Sequence, residues 1–108
     1  MERKIIFLGT GTSTGVPIIG CACSVCCSPQ IKNKRLRASA YFEINNKKFI
    51  IDTSTDFRQQ VLNNNITHID AVLYTHAHAD HIHGIDDLRC FNILQKQEIP
   101  VYMDDVSY

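Results

Sequence analysis

Nowhere in this chain does an apolar run approach the roughly 20 residues that span a bilayer. Its start, Met1-Glu2-Arg3-Lys4, leads straight into a strand-like segment without the apolar stretch of a secretory signal, which predicts a cytoplasmic protein with no membrane partner. Net charge is missing too: eleven Lys and Arg balance eleven Asp and Glu, so broad attraction to nucleic acid is not expected. A phosphate-bearing small molecule stays open as a substrate, because a bound metal adds positive charge that a residue count omits. Internal repeats and low-complexity tracts are absent, and 108 residues suffice for one modest core.

Cysteine, by contrast, is plentiful. Four of the five lie in Cys21-Ala22-Cys23-Ser24-Val25-Cys26-Cys27. An odd count crowded this tightly suits a metal site in a reducing compartment better than a disulfide framework. Cys21, Cys23 and Cys26 can wrap one tetrahedral zinc that still needs a fourth ligand, whereas Cys27, next to Cys26, points away. A reduced loop without metal is the plain alternative. Cys90 stands apart in an apolar helical stretch and is expected to be a buried structural thiol.

The densest chemistry lies in Tyr74-Thr75-His76-Ala77-His78-Ala79-Asp80-His81-Ile82-His83-Gly84. The apolar residues 71–74 before it read as a buried strand that delivers the histidines into a loop. Residues two apart in an extended segment share a side, so His76 and His78 can bind one metal ion. Asp80 and His81 follow where the chain turns into a helix, and can reach a second ion. Two ions about 3.5 to 4 Å apart can share a bridging hydroxide and clamp the attacking and leaving oxygens of a displacement, which suits hydrolysis. The mixed imidazole and carboxylate set fits zinc, manganese or iron. His83 either faces the site as a substrate contact or sits on the helix surface. His68, ahead of the strand, is read as structural.

The remaining chain reads as layered α/β. Residues 4–8 predict a buried first strand that breaks at Gly9-Thr10-Gly11-Thr12-Ser13-Thr14-Gly15-Val16-Pro17. The three glycines do not make a dinucleotide fingerprint, since the third falls one residue late and Pro17 stands where a helix should run. Residues 32–37 form a basic run, either a solvated face or a phosphate contact. Residues 38–44, Asn45-Asn46 and residues 47–51 spell a hairpin. A helix is predicted from Phe57, capped by Thr55 or Asp56, with Phe57, Val61 and Leu62 on its buried face. A second is predicted over 85–94 with Leu88, Phe91 and Leu94 buried, then a last strand over 100–103.

His76-Ala77-His78-Ala79-Asp80-His81 with Gly84 resembles the H-x-H-x-D-H-x-x-G signature of the metallo-β-lactamase superfamily of hydrolases. The glycine loop, the cysteine cluster and residues 52–60 and 84–89 resemble the branch of the PhnP-like phosphodiesterases. The resemblance implies an αββα sandwich with a dinuclear site at one edge. His76 and His78 would bind the first metal, Asp80 and His81 the second, with Asp80 and His81 taking part in catalysis and zinc or manganese as the ions. It also places Asp52 where the family has an acidic residue near the site, so that it would hold a histidine tautomer from behind the metal. A turn or cap carboxylate is the other reading of Asp52.

Members of that branch are longer, and draw a third histidine, a bridging aspartate and a final histidine from their second half. Past His83 this sequence has no histidine. The expectation is therefore a partial domain over 1–108, the N-terminal half of the sandwich, inactive alone and needing its C-terminal half as partner. An uncovered apolar sheet face would favour association into a homo-oligomer. The intact enzyme is expected to hydrolyse a small phosphodiester such as a phosphoribosyl 1,2-cyclic phosphate. A transfer-RNA 3′-end nuclease and a non-catalytic zinc-binding module are the competing readings.

Overall fold

A computed structural model describes residues 3–76 and 78–104, the side chains of Ala79 and Asp80 excepted. Five strands form one sheet in sequence order: β1 (Arg3–Gly9), β2 (Ser39–Ile44), β3 (Lys47–Ile51), β4 (Ala71–Leu73) and β5 (Val101–Tyr102). The first three run antiparallel, and β4 and β5 each lie parallel to the strand before. Parallel neighbours need crossovers. The first carries α1 (Phe57–Asn63); the second carries α2 (Ala79–Ile82), a 3₁₀ segment (His83–Asp87) and α3 (Leu88–Gln95). This is the layered α/β arrangement expected.

The β2–β3 hairpin follows from its turn residues. Asn45 and Asn46 both adopt left-handed backbone, φ 54° and 66°, as a two-residue turn between twisted strands demands. Strand alternation then sorts the sheet into two faces. The row Ile6, Tyr41, Ile50 and Val72 faces the helices and joins Phe57, Val61, Leu88 and Phe91 in the core. On the opposite face Phe42 stacks on Phe49, with ring centroids 4.9 Å apart, while Ile5 and Phe7 stay 67% and 74% exposed, so β1 is covered on one face only and is not the buried strand expected.

The helices are rotated relative to the sequence expectation. In α1 the buried residues are Phe57, Gln60 and Val61, and Leu62 is exposed. In α3 Leu88 and Phe91 are buried, while Leu94 and Cys90 are exposed, which corrects the expected burial of both. The reason is helical pitch: a spacing of three drifts about 60° per step, so Leu94 leaves the stripe that Leu88 begins. Leu62, Cys90 and Leu94 instead line a groove of about 250 Å³ between α1 and α3.

Asp56 occupies the cap position of α1 but makes no capping bond. Its carboxylate accepts the Arg37 backbone N–H and Nη1, both at 2.9 Å. Gln60, fully buried, accepts from Ser54 Oγ at 2.8 Å and donates to the Arg37 carbonyl at 2.7 Å. These bonds tie the strap before β2 to the start of α1, and polar groups buried this way are satisfied rather than stranded. The helix predicted over 85–94 begins only at Leu88, since residues 85–87 belong to the 3₁₀ segment, where the Gly84 N–H donates to the Thr53 carbonyl at 3.0 Å. A Cβ there would run into the Ser54 carbonyl oxygen and stand 2.6 Å from Phe57 Cβ.

Candidate metal centre

Because β3 and β4 are parallel, their carboxyl ends lie side by side, the place where ligands bind in such sheets. Asp52, one residue past β3, sits there with φ 62°, and its N–H donates to the Leu73 carbonyl at 2.9 Å. The carboxylate is buried and crowded with donors. Oδ1 accepts the Thr75 backbone N–H at 2.8 Å, and Oδ2 accepts Thr75 Oγ1 at 2.7 Å and lies 2.6 Å from His81 Nδ1. Thr75 Oγ1 in turn lies 2.8 Å from His76 Nδ1.

The rings of His76 and His78 approach edge-on with centroids 4.5 Å apart, and those of His76 and His81 lie 4.1 Å apart. Three imidazoles are therefore gathered above one carboxylate. The floor is rigid. Thr53 and Ser54 are fully buried, and Thr53 Oγ1 meets the Tyr74 hydroxyl at 2.7 Å, where burial pushes the phenol above its usual range. The Asp80 side chain lies outside the described residues. His83 is exposed at the start of the 3₁₀ segment and makes none of these contacts among the described residues.

His68 lies before β4, at the far end of that strand, and pairs with Asp70 at 2.9 Å. A cavity of about 210 Å³ opens beside Asp52 on the uncovered sheet face, lined by Phe7, Gly9, Ala38, Ser39, Ala40 and Ile51. The basic run is neither wholly solvated nor free. Arg35 Nη1 donates to Thr10 Oγ1 at 2.7 Å and Arg37 Nε to the Ser13 carbonyl at 2.8 Å, so both staple the glycine loop.

Among the described residues, Cys21, Cys23 and Cys26 are the group of His, Cys, Asp or Glu whose ligand atoms all lie within 4.8 Å of one another. Cys27 instead directs its thiol to the Cys21 carbonyl at 4.0 Å. Backbone N–H groups of Cys26 and Ile18 point at the sulfurs of Cys23 and Cys26, each at 3.4 Å. The Cys26 amide, with the Cys21 and Cys26 thiols, lowers Cys23 from 9.0 to about 7. Cys26 moves the other way: although the Ile18 amide pulls it down, Cys21 and Cys23 push it up. A cluster that already favours one thiolate is suited to a soft, thiophilic cation.

Residues that sequence reasoning missed are Thr75, Thr53 and Tyr74, which hold the site from beneath. Their signal was faint: a hydroxyl residue before the first histidine and another after Asp52.

A family model described as a beta-lactamase superfamily domain matches residues 47–107. The chain belongs to the metallo-β-lactamase superfamily. A superfamily structure described as a new diphosphatase from the PhnP family is 44% identical with a TM-score of 0.91, covering 96% of this chain and 42% of that one. Zinc-bound PqqB from Methylobacterium extorquens is 25% identical with a TM-score of 0.79, over 97% of this chain and 38% of that one. A protein from Porphyromonas gingivalis named octanoyltransferase is 48% identical over 102 residues, which are 94% of this chain and 20% of that protein. The chain thus spans about two fifths of the two solved superfamily structures and a fifth of the octanoyltransferase.

Proposed function

We propose that this superfamily chain carries the first metal-binding segment of a hydrolase that cleaves a phosphodiester in a small, cyclic phosphate substrate. The observation that carries the reading is the trio of imidazoles gathered over Asp52 at the carboxyl ends of β3 and β4. Similarity to the PhnP-family diphosphatase supports phosphoryl chemistry.

The donor set fits divalent ions of the zinc or manganese kind, being imidazoles backed by a hydrogen-bonded carboxylate. His76 and His78 would hold one ion, and Asp80 and His81 a second. Bound there, such ions polarise a phosphoryl oxygen and make water acidic. The chain's own part is orientation: Asp52 accepts a hydrogen bond from His81 Nδ1–H, which fixes the tautomer in which Nε2 would serve as the ligand atom. His83, exposed at the start of the 3₁₀ segment, would be the residue to contact a substrate oxygen. Cys21, Cys23 and Cys26 supply three of the four thiolate or imidazole ligands of a structural zinc.

Relatives supply more than half of their length from segments without a counterpart here, so turnover is expected to require a C-terminal portion as partner. The test is an assay of a generic phosphodiester and a cyclic phosphodiester with the metal-loaded chain, alone and combined with the C-terminal portion of a PhnP-family relative. Turnover only in the combination, abolished by His78→Ala, is expected. Activity that survives His78→Ala removes the metal-centred reading, and cleavage of transfer-RNA 3′ ends in preference to small diesters moves the substrate to RNA. No turnover in any arm, with zinc held on the cysteines, leaves a binding module.

A further inference from the structure

We propose that Thr75 is a positioning residue that sets the tautomer of His76, so that Asp52 orients two histidines, His81 directly and His76 through the Thr75 hydroxyl. The proposal rests on the metal-centred reading for its purpose, but its geometry stands independently.

The argument is a proton count. Asp52 Oδ1 is taken by the Thr75 backbone N–H at 2.8 Å. Oδ2 faces Thr75 Oγ1 at 2.7 Å and His81 Nδ1 at 2.6 Å. A carboxylate only accepts, and a hydroxyl has one proton to give. Thr75 therefore spends its proton on Asp52 and turns a lone pair toward His76 Nδ1, 2.8 Å away. That nitrogen must then be the donor. Neutral His76 then carries its proton on Nδ1, the tautomer whose Nε2 offers a lone pair to a ligand, and the direct bond to Asp52 favours the same tautomer in His81. Both ends of the relay are anchored by backbone, since Tyr74 N–H donates to the Tyr102 carbonyl at 2.8 Å and Asp52 N–H to Leu73 at 2.9 Å.

The relay has a directional consequence. In Asp52→Asn the amide oxygen stays with the Thr75 N–H, which leaves the NH₂ facing Thr75 Oγ1 and His81 Nδ1. The hydroxyl must then donate to His76, and both rings are driven to the Nε2–H tautomer. Asparagine tolerates the left-handed backbone of position 52, so the change acts through polarity rather than strain.

The experiment is long-range proton–nitrogen NMR of the imidazoles in the metal-free chain at about pH 8, above the usual imidazole range, with zinc affinity measured by chelator competition. Wild type and Thr75→Ser are expected to show His76 and His81 as Nδ1–H. Thr75→Val should release His76 alone, and Asp52→Asn should invert both. Zinc affinity should fall about 10- to 100-fold in Thr75→Val and recover in Thr75→Ser. His76 found as Nε2–H in wild type, or unchanged in Thr75→Val, overturns the relay. If Thr75→Val fails to fold, the wild-type, Thr75→Ser and Asp52→Asn spectra still decide. Correct tautomers without zinc binding at the histidines would instead end the metal reading and leave the relay standing.

Discussion

Cys23 and Asp52 show how much a single side chain here depends on neighbours distant from its own chemistry. Cys23 is lowered to about 7 by the Cys26 amide and the adjacent thiols, against 9.0 for an ordinary thiol. Its thiolate fraction therefore rises as pH rises through about 7, while Cys26 is pushed up and stays protonated longer. In the metal-free protein, iodoacetamide should modify Cys23 ahead of Cys26, with a rate that climbs between about pH 6 and 8. Peptide mass spectrometry across that range checks it, and equal rates at Cys23 and Cys26 would contradict the geometry. That the two cysteines cluster was legible from spacing alone. Which of them loses its proton first was not, because that depends on backbone N–H groups aimed by the fold.

The elements owe their positions to a few close approaches. Gly84 sits where the 3₁₀ segment crosses the turn after β3, with no room for a methyl between the Ser54 carbonyl and Phe57. Gly84→Ala should cost about 1–3 kcal/mol of stability through overpacking, read as a lower urea midpoint at unchanged slope. Because the same crossing carries the segment with His81, zinc affinity should fall with it. Strands β1 to β5 and the hairpin were readable because alternation and the Asn45-Asn46 pair are local signals. The buried stripes were read less well: Leu62 and Leu94 were expected inside, and Gln60 was not. Apolar character predicts burial only where pitch brings a residue round, and Gln60 is admitted because Ser54 and the Arg37 carbonyl satisfy its amide.

At the scale of the whole molecule, one face of the sheet rests on helices and the other presents Ile5, Phe7, Phe42 and Phe49. Apolar surface of this kind drives association when nothing covers it. The 108-residue chain should self-associate in sedimentation runs and bind a hydrophobic dye, and Ile5→Lys with Phe7→Lys should suppress both while leaving the helical core intact. Dye binding unchanged by the double substitution would locate the sticky surface elsewhere, with the groove between α1 and α3 as the next place to look. By itself the sequence determined the superfamily, the strand segments and the hairpin, since these rest on short apolar runs, turn chemistry and tightly spaced motif residues. Only the tertiary structure decided that Asp52 and Thr75 meet beneath the histidines, that Cys90 faces out, and that Arg35 and Arg37 staple a loop. Those outcomes join residues more than twenty positions apart or depend on helix rotation, which sequence spacing does not encode.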